Sequence, residues 1–283
     1  MSISKPSLLA SRIIVLRSGG LGDILLTLPL LKEVENLFEE VMVCVPSKYH
    51  FLMKEFSSKS ILFDLDQAED ELQKLASGSQ VISFWNDPAW VKEWKEKGAT
   101  DVHIFNPRPT GGCHFSQSLI ERFRKSVVRE ELNQKWFTSR AESSNDGLRN
   151  LWIHPGSGGG DKNLPLSEWL HLAKTWLEKK PQSEVFFSFG EADLDLQNKF
   201  SKLTFSKNSQ IKTKLFSSLS DFFFSLRNHE GAFAGNDTGP SHLAGMLGIE
   251  THVWFRSTSS TVWAPLGPSV RIYQADSVPS KIL

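Results

Sequence analysis

Residues 12–34 read RIIVLRSGGLGDILLTLPLLKEV: an apolar run, a glycine loop and the start of an amphipathic stretch. Arg12–Arg17, with its short Ile-Ile-Val-Leu run, reads as a strand. The apolar spacing from Ile24 to Phe38 is helical. Working outward, the same alternation recurs. Val41–Val45, Gln80–Phe84 and Asp101–Phe105 read as strands, with helices over Pro88–Lys97 and Ser116–Val128. The second half repeats it, with strands at Leu151–His154, Glu184–Phe189, Gly231–Ala234 and Thr251–Phe255. Its helices are expected at Ser167–Lys180, Ala192–Leu203, Leu215–Asn228 and Ser241–Leu247. Strands alternating with helices imply an α/β fold with parallel sheets and crossover helices. Thr138–Arg149 is polar and lacks an apolar period, which makes it the linker. Two Rossmann-like domains are therefore expected, over residues 1–140 and 150–283, with ligands in a cleft between them.

The chain has 283 residues, enough for two such domains. Its 32 Lys+Arg balance 32 Asp+Glu, which argues against a general nucleic-acid binder. With 20 Phe and 9 Trp there is bulk for a sizeable core, and wholesale disorder is excluded. Two cysteines, Cys44 and Cys113, build neither a disulfide framework nor a structural zinc site. Cys44 lies in an apolar run and is expected to pack as a small hydrophobe. No stretch approaches the roughly 20 apolar residues needed to span a bilayer. The expected location is cytoplasmic, with peripheral contact at the cytoplasmic face of the inner membrane left open.

Three loops carry residues suited to chemistry. Ser18-Gly19-Gly20-Leu21-Gly22-Asp23 lets backbone approach a ligand, but Leu25 stands where a dinucleotide fingerprint has its third glycine. Asp23 is either a first-turn acid serving orphan helix amides or a general base. The two compete, because a helix N-terminus weakens a carboxylate base. His154-Pro155-Gly156-Ser157-Gly158-Gly159-Gly160-Asp161-Lys162 offers backbone amides, a hydroxyl and a point charge to an anion. It matches neither a Walker loop nor a nucleophile elbow. Its bland alternative is a solvated surface loop. Gly235-Asn236-Asp237-Thr238-Gly239-Pro240-Ser241-His242 leads from a strand into a helix whose first amides would hold a pyrophosphate. A single Asp-Thr-Gly triplet does not make an aspartic-protease dyad. No His/Cys/Asp cluster has metal-ligand spacing, so no protein-held metal is expected.

In order and spacing, the three loops resemble glycosyltransferase family 9, the heptosyltransferases. RIIVLRSGGLGDILLTLPLLKEV looks like that family's opening motif, IHPGSGGGDKNLPLSEWLHLA its second, and GNDTGPSHLAGMLG its donor-binding motif. The resemblance covers nearly the whole chain and is vague over residues 50–140. It implies a GT-B fold and inverting, metal-independent transfer of heptose from an ADP-activated donor to the lipopolysaccharide inner core. It implies no cofactor beyond that donor. Carried over by position, Asp23 becomes the base, and Lys162, helped by Ser157, contacts the donor diphosphate. Thr238, Gly239 and Ser241 offer amides to phosphate, Asp237 positions the donor, and His242 lies beside the phosphates. Asp193 is either the acid that contacts the ribose or a helix-start acid.

Two departures stand out. Leu164 replaces the family's Trp, and Phe255-Arg256-Ser257-Thr258 replaces its FGPT. An arginine for glycine beside the donor either clashes with the usual sugar or adds a phosphate contact. A lipid-linked acidic acceptor would seek basic residues, for which Arg122 and Arg124, with Arg108 and Lys125, are candidates; a solvated helix face is the alternative for 122–125. His114 is a further acceptor-side candidate. Two other readings stay open: a transferase of the same fold using another sugar or a protein acceptor, and an inactive nucleotide-binding scaffold.

Overall fold

The computed structural model describes residues 10–125, 132–138, 150–274 and 277. Among these, the chain forms two compact units. One holds residues 10–110 and 115–125; the other holds 111–114, 132–138 and the residues from 150 onward.

The first unit is a five-stranded parallel sheet in the order β3-β2-β1-β4-β5. Its strands are β1 (Ala10–Leu16), β2 (Phe38–Val45), β3 (Ile61–Asp64), β4 (Gln80–Ser83) and β5 (Asp101–Ile104). The helices are α1 (Leu21–Leu25), α2 (Leu28–Leu37), α3 (His50–Phe56), α4 (Glu69–Lys74), α5 (Pro88–Glu96) and α6 (Phe115–Arg124). Central β1 carries Ile13, Ile14 and Val15 without exposure, as a parallel strand covered on both faces does. Cys44 is buried against Ile14, Val81 and Trp94 in one core cluster, as a small hydrophobe; Cys113 is exposed. The chain winds β1, β2, β3 to one side and then returns to lay β4 on the other side of β1. That reversal places a topological switch point beyond Leu16 and Ser83, where open α/β sheets bind ligands.

The second unit repeats the plan with six parallel strands in the order β11-β10-β9-β6-β7-β8. Its strands are β6 (Asn150–His154), β7 (Val185–Phe189), β8 (Ile211–Leu215), β9 (Gly231–Asn236), β10 (Glu250–Phe255) and β11 (Val270–Gln274). Its helices are α7 (Leu166–Lys179), α8 (Leu194–Ser201), α9 (Leu219–Arg227), α10 (Gly239–Met246) and α11 (Ser260–Trp263). Trp169, Phe187, Phe189, Phe200 and Trp254 fill the core. The switch point lies between β6 and β9, where His154 pairs with Gly235.

Several sequence expectations change. The helix expected over Ile24–Phe38 is two, because Pro29 near the start of α2 has no N–H to continue the ladder. The helix expected from Ala192 opens as a tight turn over Glu191–Asp193 before α8. The one expected from Leu215 starts at Leu219, because Leu215 closes β8 and the Ser218 hydroxyl caps α9 through the Asp221 N–H. Strands β3, β8 and β11 lie at sheet edges and were not anticipated. Residues 132–138 belong with the second unit: the Trp136 N–H donates to Met246 O at 2.8 Å, and Phe137 meets Phe223 edge-on. The linker expected over Thr138–Arg149 lies, beyond Thr138, outside the described residues, as does the end of the helix expected to reach Val128.

Candidate functional site

Each unit gathers charged side chains at its own switch point. In the first, α1 begins directly after the glycine loop, with Asp23 in its first turn. Asp23 Oδ2 accepts the Gly20 N–H at 2.8 Å, so the helix-start role is real. Gly19 has φ +123, and a Cβ there would stand 2.6 Å from Asp23 Oδ2; only glycine fits. Asp23 Oδ1 also meets two arginines, Arg17 Nη2 at 3.1 Å and Arg108 Nη1 at 2.5 Å.

The two arginines differ in kind. The Arg17 side chain is 3% exposed, lies 4.1 Å over the Phe84 ring and donates to Thr27 Oγ1 at 3.2 Å. Burial lowers its pKa to about 10, against the pull of Asp23, and it stays cationic at neutral pH. The Arg108 side chain is 67% exposed and reaches Asp23 from the segment after β5. Burial pushes the Asp23 carboxyl up, but the hydrogen bond from Arg108, the charge of Arg17 and the Gly20 N–H together hold it below its ordinary value. Tyr49 donates its hydroxyl to Gly19 O at 3.3 Å and braces the loop from α3's side.

In the second unit, Asp237 follows β9 and organises the site. Its Oδ2 accepts from Lys162 Nζ at 3.0 Å and from Thr258 Oγ1 at 2.5 Å, while Oδ1 lies 3.5 Å from His242 Nε2. Burial would raise the Asp237 carboxyl; His242, Thr258 and Lys162 outweigh it and hold the pKa near about 2. The backbone around it is locked by Asn236. That side chain accepts the Leu164 N–H at 3.0 Å and donates to Pro155 O at 2.8 Å and Asn163 Oδ1 at 3.2 Å. Arg256 Nη1 donates to Asn163 O at 2.5 Å. Helix α10 starts at Gly239, where the first amides have no intrahelical acceptor and Pro240 contributes none. Thr238 Oγ1 and His242 Nδ1 are buried with no hydrogen-bond partner among the described residues, polar atoms that a ligand could satisfy.

The remaining predicted residues are placed as follows. The Ser157 hydroxyl donates to Gly159 O at 2.6 Å in a local turn. Ser241 Oγ donates to Asn236 O at 2.6 Å, leaving its amide rather than its hydroxyl for a ligand. Asp193 is buried; its Oδ2 accepts the Gly190 N–H at 2.8 Å and lies 3.6 Å from His154 Nε2. It therefore has the helix-start contact, repeating in the second unit what Asp23 does in the first. A Cβ on Gly156 would run into the Asp193 carboxylate, so only glycine lets the loop backbone pass here. Arg124 grips the buried Glu33 through both carboxylate oxygens, its Nε at 2.7 Å from Oε1, and Arg122 lies over the Phe105 ring. His114 bonds Ala264 O at 2.8 Å inside the second unit. Sequence reasoning did not single out Arg17, Asn236 or Thr258. An arginine closing an apolar strand is a signal for the first; the others carry none.

Among the described residues no three His, Cys, Asp or Glu side chains group to hold a metal. No helix there is long and apolar enough to cross a membrane.

No protein-family model matches the sequence, and no curated protein matches it. Solved structures match in fold. A family 9 glycosyltransferase from Veillonella parvula superposes with a TM-score of 0.70 at 16% identity, over 97% of this chain and 90% of that one. E. coli heptosyltransferase WaaC with ADP gives 0.68 at 12% identity, over 92% of each chain. E. coli ADP-heptose lps heptosyltransferase II gives 0.68 at 14%, over 94% and 92%. The fold is thus GT-B, two Rossmann-like units, shared with the family 9 glycosyltransferases.

Proposed function

We propose that the chain is an inverting glycosyltransferase that moves a heptose, or a related sugar, from an ADP-activated donor to a lipopolysaccharide inner-core acceptor. One observation carries the donor half: Lys162, Thr258 and His242 converge on Asp237 beside the N-terminus of α10, at a switch point. The likeness to a heptosyltransferase with ADP supports the same half.

The chemistry assigned is single displacement. The acceptor oxygen forms a bond to the anomeric carbon as its proton passes to Asp23. The bond from that carbon to the donor diphosphate breaks, and the nucleoside diphosphate leaves with the electron pair. Inversion requires base and leaving group on opposite faces of the sugar. Lys162 and the amides of Thr238, Gly239 and Ser241 would take up the leaving charge as preorganised donors. Charge-assisted hydrogen bonds contribute about 1.5–3 kcal/mol each. Three supply much of the roughly −8 kcal/mol of a micromolar complex. No cofactor beyond the donor is proposed; the acceptor is a lipid-linked saccharide and the location the cytoplasm, at the inner-membrane face.

A second reading has its own observation. With both Asp23 oxygens engaged, the carboxylate is a poor base as it stands, which favours an inactive nucleotide-binding scaffold. Incubation with ADP-heptose and with UDP- and GDP-sugars, with and without truncated lipopolysaccharide, separates the readings. Acceptor-dependent ADP release supports transfer to lipopolysaccharide. Release with a protein acceptor or another donor redirects it. Binding without release in any combination leaves the scaffold.

A further inference from the structure

Asp23 is shared by two arginines of unequal freedom. Arg17 Nη2 reaches its Oδ1 at 3.1 Å; Arg17 Nε also donates to Thr27 Oγ1 at 3.2 Å, and the guanidinium lies 4.1 Å over the Phe84 ring. Arg108 Nη1 reaches the same Oδ1 at 2.5 Å, but its second bond, Nη2 to Oδ2, is 3.4 Å long, and its side chain is largely exposed. Its further contact is with the adjacent Pro107 O, also at 3.4 Å. An exposed ion pair of this kind is weak and is readily exchanged for another anion.

Charge favours such an exchange. Among the described residues, the charged or titratable groups that act on the Asp23 carboxylate are Arg17 and Arg108, with Tyr49 beyond the Gly19 carbonyl. Burial and Asp23 push the Tyr49 phenol above its ordinary value, so it adds no charge. Two guanidinium cations thus face one carboxylate, an excess of positive charge. The same contacts disable the base, since both Asp23 oxygens are engaged. An anion that took Arg108 would neutralise the excess and lift part of the restraint on Asp23. Arg108 follows β5 and Asp23 follows β1, so both enter from carboxyl ends of strands, the ligand-binding end of the sheet. Exposed Trp85, just past β4 at that same end, offers an aromatic face on which a sugar ring can pack.

We propose that Arg108 is the ligand of an anionic group on the acceptor saccharide, a carboxylate or a phosphate, and that pairing with this group draws Arg108 off Asp23 and frees the base. This rests on the transferase reading above. Without acceptor, Arg108 restrains Asp23 from activating water. In that side reaction the water oxygen bonds to the anomeric carbon, its proton passes to Asp23, and the nucleoside diphosphate leaves with the electron pair. An arginine that merely oriented Asp23 would assist water and acceptor alike. An exchangeable one opposes the first and assists the second.

The test measures ADP release from ADP-heptose by the full chain and by Arg108→Ala, Arg108→Lys and the double variant Arg108→Ala with Asp23→Asn. Each is run without acceptor, with truncated lipopolysaccharide, and with that acceptor after dephosphorylation or after carboxyl reduction. In the unaltered chain, removing the recognised group should raise the acceptor KM and lower kcat, and the treatment that does so identifies phosphate or carboxylate. Arg108→Ala is expected to raise KM for the intact acceptor about 10-fold or more, to lose the preference for it over the treated ones, and to release ADP to water about 3- to 10-fold faster. The gain with water should vanish in the double variant, and Arg108→Lys should recover part of the acceptor preference. Release to water that falls together with transfer in Arg108→Ala overturns the proposal in favour of an orienting arginine. Unchanged release to water, an anionic preference that survives in Arg108→Ala, or no effect of either treatment on the unaltered chain overturns it and leaves the transferase reading standing. If the unaltered chain releases ADP under none of these conditions, the transferase reading falls for this donor, and the proposal with it.

Discussion

Arg108 closes on Asp23 with Nη1 2.5 Å from Oδ1, from a position 85 residues further along the chain. The first unit thus holds its candidate base between a fixed arginine and an exposed one. Arg17 is packed under Phe84 and cannot leave without disturbing the core; Arg108 can. For Asp23 to accept a proton, a contact on its carboxylate has to yield, and that of Arg108 is the least costly to break.

Asp23→Asn should therefore keep nucleotide binding and lose transfer by about 10²- to 10⁴-fold. Steady-state rates beside a binding isotherm check both halves. Near-normal turnover would remove Asp23 from the chemistry.

The pH profile should carry the mark of the arginines. A base must be deprotonated, and Asp23 is held below its ordinary value, so the acidic limb of the rate should fall below the ordinary carboxylate range. Arg108→Ala takes away one of the interactions holding it down and should move that limb to higher pH. A limb that stays in place would show that Arg108 does not tune Asp23.

Lys162→Ala should weaken ADP binding before it affects anything else, by about 10-fold or more. An unchanged dissociation constant would reduce the loop at 157–162 to a surface turn.

Asp237 gives a stability signature. Its folded pKa, about 2, is below the ordinary 3.8, so its contribution is fully present above pH 3.8 and is lost as pH falls through 2. The shift corresponds to about 2 kcal/mol. The gap in melting temperature between the unaltered chain and Asp237→Asn should be widest above pH 4 and close toward pH 2. A gap independent of pH would contradict the charge network.

The basic helix face divides in two. Arg124→Glu breaks a pair with buried Glu33 and should lower the melting temperature, with a cost of about 1–3 kcal/mol after allowance for the half-exposed arginine. Arg122→Glu should leave stability within about 0.5 kcal/mol and is the variant that reads acceptor binding. A stable Arg124→Glu protein would show that the Glu33 contact is dispensable.

What was legible in the sequence follows from burial. Strands β1, β2, β6, β9 and β10 each carry a buried, mainly apolar run, and the glycine loops follow directly on β1, β6 and β9. Strand β8, Ile-Lys-Thr-Lys-Leu, is exposed along an edge and looks like loop; β3 and β11 are edges too. Asp23, Lys162 and Asp237 announce themselves by lying in those loops. The partners that set their charge do not. Arg108 and Thr258 reach their aspartates through the tertiary fold, and no local period connects them. Asp193 and Asp23 show the other limit: the same Gly-x-x-Asp turn occurs in both units, so the turn alone does not mark a base.

The most direct measurement is calorimetric titration with ADP, UDP and GDP, followed by ADP-heptose under the same conditions. A donor site built on Lys162, Asp237 and the start of α10 should bind ADP in preference to the other two and ADP-heptose more tightly still. Preference for UDP or GDP would contradict the donor, and no binding of any nucleoside diphosphate would contradict the site itself.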